Sequence, residues 1–338
     1  MNSIERVRKA IKFDCPDRVP VSGIDTIGVG FNNVDEDLLD AIKNGRTAWT
    51  DEWGIEYHRP TESRDGVDNK GIPKTTPLAS YKNIEDYPLW PDANNLEKYG
   101  ARYHAIEEGA DRAEKEGKYL YVSWFGLSER AWMLEGMEQF FISLVMDPGR
   151  VHRVLDRVAR FTLTFLDHIA GLKGRVHGIY TGDDWGTQKA SYISVEHFRE
   201  FFKPVYKQII AKAHALNMHV WMHSCGNVTE LIQEMIEAGL DVINLQQPLA
   251  LGVDNISRRY RGKIAFEVPA DIQKMLPVNA NTSRDEIEKH VEELIAKWGT
   301  PQGGIIGMDY GGYKSIGTTP ERAGWAMEAF KRHVYQKI

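Results

Sequence analysis

The sequence is poor in cysteine and has no long hydrophobic run. Only two of its 338 residues are cysteine, Cys15 and Cys225, which excludes a disulfide scaffold and leaves free thiols or metal ligands. No apolar stretch approaches the roughly 20 residues that span a bilayer. The opening MNSIERVRKAIKF has the pattern of an amphipathic helix without an apolar core. We therefore expect a cytoplasmic protein without a membrane segment.

The sequence also lacks an excess of positive charge and any segment that would divide it into domains. The net charge is −6 and the basic residues are scattered, so nucleic acid is not an expected partner. No internal repeat, low-complexity tract or Pro/Ser-rich linker divides the chain, which favours a single domain over residues 1–338. Residues 59–91 are rich in Gly, Pro, Asn, Asp and charge, and predict a surface insertion long enough to cover an active site.

The sequence instead alternates short β-rich runs with amphipathic helical stretches, a pattern typical of a parallel sheet covered by helices. The predicted strands are Val19–Ile24, Thr47–Trp53, Tyr119–Phe125, Val176–Asp183, His219–His223, Val242–Gln246, Lys263–Val268 and Gly304–Met308. The predicted helices include Pro148–Leu172, Val195–Leu216, Val228–Ala238, Asp285–Trp298 and Pro320–Val334. Eight such units predict a (β/α)8 barrel of the TIM type, with an N-terminal helical extension and the long early insertion. An open doubly wound sheet is the alternative, but no Gly-x-Gly-x-x-Gly turn follows any predicted strand.

Active sites of such barrels lie at the C-terminal ends of the strands, so the polar residues that follow each predicted strand are candidates. They are Asp51, Glu52, Glu129, Asp183, Asp184, His223, Cys225, Gln246, Gln247, Glu267, Asp271, Asp309 and Tyr310. Loops are polar in any protein, so a solvated surface role is the alternative for each of them.

The segment HVWMHSCGN carries the clearest chemical signal. Side chains alternate along a strand, so His219, Trp221, His223 and Cys225 point to one side, and His223 and Cys225 can share one ligand. Imidazole nitrogen and thiolate sulfur are good zinc donors, and catalytic zinc commonly has three protein ligands and one open position. A packed histidine beside a buried thiol is the alternative interpretation.

A third ligand must come from another strand end, where no cysteine remains to supply it. A carboxylate is therefore required, and Asp309 and Glu267 are the candidates. Their alternative role is that of a solvated loop carboxylate or a helix N-cap.

Further candidates line the same predicted rim. In GIYTGDDWGTQ, the adjacent Asp183 and Asp184 must diverge, so one faces substrate while the other caps a loop or helix. Tyr180 shares the parity of Asp184. The predicted substrate-binding residues are Asp51, Tyr180, Asp183, Trp124, Glu129 and Gln246, although aromatic residues are commoner as core filling and Glu129 with Arg130 can equally form an exposed ion pair.

With these residues in view, nearly the whole chain resembles the uroporphyrinogen decarboxylase superfamily, which includes the zinc-dependent cobalamin methyltransferases of anaerobic microbes. The resemblance is carried by RVRKAIKFDCPDRVPV, DEWG, GDDWGTQ, MHSCGNVTELIQEMIEAGLDVINLQQP, FEVPADIQKMLP, GGIIGMDYGG and TTPERA, in that order. It implies a (β/α)8 barrel.

The resemblance also distinguishes two chemistries. True decarboxylases grip their acidic substrate with an early arginine-rich motif, but the matching loop here reads PVSGIDTIGVG, without arginine, while Asp51 matches the family's substrate-holding Asp. Unpaired substrate carboxylates would weaken binding by several kcal/mol. In the methyltransferase branch a His-x-Cys pair and a later Cys hold zinc. His223 and Cys225 match the pair, while GMDYGGY replaces the later Cys, so Asp309 is the substitute.

The sequence thus predicts a corrinoid-dependent methyltransferase, in which zinc assists methyl transfer between a small methyl ether, methylamine or thiol and the cobalamin of a partner corrinoid protein. Asp184, Glu52 and Tyr310 are the predicted proton donors. A metal-free lyase acting on a smaller acid through Asp51 or Asp184 is the first alternative, and a non-catalytic corrinoid or ligand-binding protein is the second. The methyl donor and acceptor, the direction of transfer and the formation of a homodimer stay open.

Overall fold

A curved parallel sheet dominates the computed structural model, which describes residues 1–31, 43–58 and 71–335. In chain order the strands are β1 (Thr26–Gly30), β2 (Ala48–Thr50), β3 (Glu56–His58), β4 (Ile72–Pro73), β5 (Tyr119–Ser123), β6 (Gly178–Gly182), β7 (His219–His223), β8 (Val242–Asn244), β9 (Ala265–Val268) and β10 (Ile305–Gly307). Strands β1, β5, β6, β7, β8, β9 and β10 pair in that order, all in parallel. The fold is a barrel of the TIM type, as the sequence predicts.

Helices connect successive barrel strands. They are α1 (Ser3–Ile11), α2 (Leu96–Glu116), α3 (Leu127–Glu135), α4 (Met137–Met146), α5 (Pro148–His168), α6 (Val195–His197), α7 (Lys203–Ala215), α8 (Ile232–Ala238), α9 (Pro248–Leu251), α10 (Val253–Tyr260), α11 (Arg284–Trp298) and α12 (Pro320–Arg332). Local signals set several of their ends. A capping box of Ser283 and Glu286 begins α11, and Pro148 occupies the first turn of α5 beneath the Asp147 cap.

The segment Val19–Ile24, predicted as the first strand, instead closes the barrel through one short contact. Val21 forms a single parallel bridge with Gly307, and the regular strand β1 begins only after Asp25. The Val21 carbonyl accepts the amides of Ile24 and Asp25 at 3.1 and 2.8 Å, so the chain turns there and the ladder ends. Strand β1 was not predicted because Gly28 and Gly30 weaken its β signal. Gly28 is needed there, since a Cβ atom would lie 2.9 Å from the Tyr121 ring.

The predicted strand Thr47–Trp53 does not join the barrel. Its residues form β2, which pairs antiparallel with β3 in a separate sheet completed by β4. The Asp51 carboxylate accepts hydrogen bonds from the amides of Trp53 and Ile55 at 2.9 and 3.0 Å, which reverses the chain after β2. The hydrogen bonds from the Asp51 side chain to the backbone that follows it therefore make this segment a hairpin rather than a barrel strand.

Residues 59–70 of the predicted 59–91 insertion lie outside the described residues. The remainder packs on the body of the protein, because Leu78, Ile84 and Tyr87 are buried and the Tyr87 hydroxyl donates to the Trp53 carbonyl at 2.6 Å. The extent of the insertion and the single-domain organisation stay predictions.

The barrel interior is layered by strand register. At its N-terminal end, Tyr119 and Trp221 pack with Val7 and Ile11 of α1, which covers this end of the barrel. At the opposite end, Gly182, His223, Asn244 and Glu267 are register partners on neighbouring strands. Residues in register share a face of the sheet, so this level presents polar groups at the C-terminal mouth. Among the described residues, no helix combines the length and the apolar character needed to cross a membrane.

Candidate metal centre

Three side chains with metal-ligating atoms converge at the mouth of the barrel. His223 ends β7, Cys225 follows it by two residues, and Asp184 follows the end of β6 by two residues. His223 Nε2 lies 3.2 Å from Cys225 Sγ and 3.3 Å from Asp184 Oδ1. One ligand atom of each residue lies within 4.8 Å of the others. This spacing matches a site for one small cation.

The two loops that carry these residues touch through their backbones at a pair of glycines. A Cβ atom on Gly226 would lie 2.3 Å from the Gly186 carbonyl oxygen, and one on Gly186 would lie 2.5 Å from the Cys225 carbonyl oxygen. The Cys225 amide donates to Asp184 Oδ1 at 2.8 Å, and the Gly226 amide donates to Gln247 Oε1 at 2.7 Å. The loops after β6, β7 and β8 therefore hold Asp184 against Cys225.

The charges of the three side chains are strongly coupled. Burial opposes protonation of His223, but hydrogen bonds and charges from Asp184 and Cys225 outweigh it and raise its pKa to about 10. Burial would raise the pKa of Asp184, yet the hydrogen bond to His223 and the charge of that ring lower it. The pocket therefore stabilises a positive charge at the position of the His223 ring.

Behind His223 lies a line of buried polar groups. The Asn244 Oδ1 atom is 2.6 Å from His223 Nδ1, and Asn244 Nδ2 donates to Glu267 Oε2 at 2.8 Å. The Ser22 hydroxyl donates to Glu267 Oε1. Burial raises the pKa of Glu267, although the bonds from Ser22, Asn244 and Tyr180 lower it. Glu267, predicted as a metal ligand, thus accepts hydrogen bonds from Ser22, Asn244 and Tyr180 and lies behind His223 in the structure.

Asp183, the neighbour of Asp184, points into the protein. Its buried carboxylate accepts the amides of Ser128 and Glu129 at 3.0 and 2.8 Å, and the Tyr206 hydroxyl also donates to it. Burial raises its pKa to about 6 against these three bonds, which lower it. Asp183 caps the first turn of α3, as one of the two interpretations of the adjacent acids anticipates.

Asp51 and Glu52 form buried ion pairs in the structure. Besides the turn amides, Asp51 accepts the Tyr57 hydroxyl at 3.1 Å and the Arg130 guanidinium. Glu52 accepts Arg102 at 3.0 Å, and although burial would raise the pKa of Glu52, the Arg102 charge lowers it. These carboxylates hold the β2–β3 hairpin to α2 and α3.

Asp309 and Tyr310 lie in the loop after β10. Asp309 accepts the Gly311 amide at 3.0 Å and the Tyr313 hydroxyl, so it orders its own loop. It is not in the ligand group that the described residues form. Tyr310 is half-buried and packs against the core.

The remaining predicted substrate-binding residues lie in different parts of the structure. Tyr180 projects inside the barrel, with its ring centroid 5.3 Å from that of Tyr121, and hydrogen-bonds Glu267. Trp124 is buried against Phe165 in the main core. Gln246 is half-buried in the loop after β8.

Sequence reasoning missed Asn244 and Ser22. The signal for Asn244 was present, because an amide within the apolar run VINL must find buried partners if that run is a barrel strand. No signal marked Ser22, since its contact with Glu267 joins residues 245 positions apart.

A sequence model of the family described as "Uroporphyrinogen decarboxylase (URO-D)" matches residues 130–333, more than half of the chain and the part that contains all three ligand candidates. No curated protein matches the sequence.

Solved structures resemble the chain over different extents. A methyltransferase from Methanosarcina mazei is 15% identical, with 98% of each chain covered and a TM-score of 0.68. A D-psicose 3-epimerase from Clostridium cellulolyticum H10 is 14% identical over 73% of this chain and 88% of that one, with a TM-score of 0.43. At 15% identity the likeness to the methyltransferase concerns the fold.

Proposed function

The chain belongs to the uroporphyrinogen decarboxylase family, and from this premise we propose that it is a zinc-dependent methyltransferase that moves a methyl group between a small substrate and the cobalamin of a separate corrinoid protein. The observation that carries the proposal is the group formed by Asp184, His223 and Cys225, whose ligand atoms lie within 4.8 Å of one another. The sequence resemblance to the cobalamin methyltransferase branch rests on the same His-x-Cys pair.

The donor set fits zinc. An imidazole nitrogen, a thiolate sulfur and a carboxylate oxygen are three common zinc ligands, and three protein ligands leave the fourth position open for substrate. The two anionic donors balance the charge of a divalent ion. Asp184 is half-exposed, with 45% of its side chain accessible, so the group is open on one side. In this proposal Asp184 takes the ligand role that the sequence assigned to Asp309 or Glu267.

Bound zinc would supply Lewis-acid activation of the heteroatom that gains or loses the methyl group, or would lower the pKa of a substrate thiol. The protein residues then act around that position. His223 and Cys225 supply metal-ligating atoms from the end of a barrel strand. Asp184 orients the Cys225 backbone by accepting a hydrogen bond from the Cys225 amide. Glu52 is a poor acid because Arg102 holds it ionised. Tyr310 is therefore the proposed proton donor for an ether or amine substrate.

The metal-free lyase gains less support from the geometry. That mechanism needs a free carboxylate, from Asp51 or Asp184, to stabilise a protonated intermediate. Both oxygens of Asp51 accept hydrogen bonds from neighbouring protein groups, and Asp184 Oδ1 already contacts the Cys225 amide and His223. Freeing Asp51 for substrate would leave Arg130 unpaired in a buried environment, at a cost of about 3–5 kcal/mol.

The first test is metal content together with methyl transfer. We expect purified protein to hold about one zinc per chain and Cys225→Ser to lose it, because thiolate is the strongest zinc donor of the three. Cys15→Ser is the matched control, since Cys15 lies outside the ligand group. Zinc is measured by elemental analysis, and transfer by the absorption change of a reduced corrinoid protein mixed with methyl ethers, methylamines or thiols.

Full methyl transfer by metal-free protein would refute the zinc mechanism. Tight binding of the corrinoid protein, without turnover of any methyl donor, would favour the non-catalytic alternative.

A further inference from the structure

We propose that Asn244, oriented by Glu267, fixes the tautomer of the His223 ring and so makes Nε2 its ligating atom. Both act as positioning residues behind the metal ligand. The inference rests on the proposed metal site for its functional meaning, although the tautomer itself is a property of the metal-free protein.

Strand register places the three residues side by side. His223 on β7 is the register partner of Asn244 on β8, which is in turn the partner of Glu267 on β9. Register partners present their side chains to the same face of a sheet. The three groups therefore form a row across the barrel mouth, and only a change of pairing would break it.

The surroundings of Asn244 decide which way its amide points. On one side are the Glu267 carboxylate, 2.8 Å from Asn244 Nδ2, and the Met308 thioether sulfur, also 2.8 Å from that nitrogen. Thioether sulfur only accepts hydrogen bonds, and Glu267 already receives bonds from Ser22 and Tyr180. The NH2 group of Asn244 is the donor that these acceptors require. With 0% of Asn244 exposed, no solvent offers an alternative.

The oxygen of the same amide then faces the ring. Asn244 Oδ1 can only accept, and it lies 2.6 Å from His223 Nδ1, so that nitrogen must carry hydrogen. The neutral ring consequently has its lone pair on Nε2. This is the nitrogen that faces Cys225 Sγ at 3.2 Å and Asp184 Oδ1 at 3.3 Å. The buried row therefore directs the ring lone pair toward the other two ligands.

Three substitutions separate this positioning from simple filling of space. Asn244→Leu removes the hydrogen bonds to His223, Glu267 and Met308 and keeps the branched shape of the side chain. Glu267→Leu removes the acceptor that orients Asn244, and it keeps the test available if Asn244→Leu does not fold. Glu267→Gln is the matched conservative variant, because its carbonyl oxygen still accepts from Asn244.

Two measurements read the result. The ring tautomer of His223 is determined by 15N NMR of metal-free protein at an alkaline pH where the ring is neutral, and zinc affinity by competition with a chelating indicator. We expect hydrogen on Nδ1 in the wild type, a shift toward the other tautomer in both Leu variants, and an affinity about 10- to 100-fold lower in these variants. Glu267→Gln retains the wild-type tautomer.

A wild-type ring with hydrogen on Nε2 would overturn the inference, and so would Leu variants that retain both the tautomer and the affinity of the wild type. If the wild type binds no metal but carries the Nδ1–H tautomer that Asn244→Leu loses, the positioning stands and the proposed zinc function fails.

Discussion

At the scale of single residues, β7 carries two histidines on one face with opposite acid–base behaviour. His219 lies at the start of the strand, where its Nδ1 is 3.0 Å from the Tyr119 hydroxyl, and burial lowers its pKa to about 4. His223 lies at the other end beside Asp184 and Cys225, and its pKa rises to about 10. Four residues along one strand thus separate a ring that burial keeps neutral from a ring whose protonated form is stabilised by the neighbouring Asp184 carboxylate.

The first prediction concerns the pH dependence that His219 confers. Because its folded pKa lies below the ordinary value of about 6.5, its contribution is complete above pH 6.5 and is lost as pH falls toward 4. His219→Gln keeps a polar partner for the Tyr119 hydroxyl, because a Gln side-chain amide can donate or accept, but it does not titrate. The unfolding free energy of the wild type falls between pH 7 and pH 4. We expect this decrease to be smaller in the variant, by up to about 3 kcal/mol, as measured by urea denaturation at each pH.

The control for this measurement is His104→Gln, which removes an exposed histidine on α2. His177, whose pKa burial also lowers to about 4, accounts for part of the pH dependence that remains. An unchanged slope in His219→Gln would show that His219 is not held neutral.

At the scale of elements, the metal centre depends on two loops from different strands that approach closely. Gly186 and Gly226 remove the side chains that would otherwise separate these loops, and Gly226 also has a φ of +71°. Any larger residue at this contact pushes Asp184 away from Cys225. The geometry of the centre is therefore a property of the loop pair.

A second prediction follows for Gly226→Ala. The methyl group would meet the Gly186 carbonyl oxygen at 2.3 Å, so we expect a loss of about 1–3 kcal/mol of unfolding free energy and a clear loss of zinc affinity. Gly174→Ala is the matched control, because Gly174 also has a positive φ, +87°, but no atom lies within 4 Å of its added Cβ. The control is expected to cost only the backbone strain, about 1 kcal/mol, and to bind zinc normally. Equal zinc affinity in both variants would contradict the role given to the loop contact.

Sequence reasoning reached the elements whose signals are local. Strand β7 was predicted as His219–His223 and has those bounds, and the two-residue period then identified the His223–Cys225 pair. The proximity of Asp184 depends on the backbone approach of Gly186 and Gly226, which no spacing along the chain reveals. The first strand was misplaced for a local reason, because the Val21 carbonyl accepts the amides of Ile24 and Asp25 and the chain turns there.

At the scale of the whole molecule, the N-terminal segment joins the two ends of the barrel sheet. The Ser22 amide donates to the Gly307 carbonyl at 2.8 Å, and the Gly307 amide donates to the Pro20 carbonyl at 2.9 Å. Asp25 anchors this seam, since its buried carboxylate accepts the guanidinium groups of Arg6 and Arg18 at 2.8 Å. The stability of the barrel therefore depends on one carboxylate near the chain start.

The third prediction tests this anchor. Asp25→Asn leaves two guanidinium groups without their buried counter-charge, so we expect a loss of about 3–5 kcal/mol in unfolding free energy, measured by chemical denaturation. Asp17→Asn is the control, because Asp17 also pairs with Arg6 but has 40% of its side chain exposed, and we expect about 1 kcal/mol or less. Similar losses in both variants would assign the stability to Arg6 alone.

The bond between Ser22 and Glu267 also fixes when the centre forms during synthesis on the ribosome. Its two residues are separated by 245 positions. The growing chain exposes His223, Cys225 and Asn244 before Glu267 has been translated. The contact between the N-terminal segment and Gly307 can form only later still. We therefore expect the ligands to become ordered late in biogenesis, and a nascent chain that stalls before Glu267 carries Cys225 without the row of groups that would orient His223.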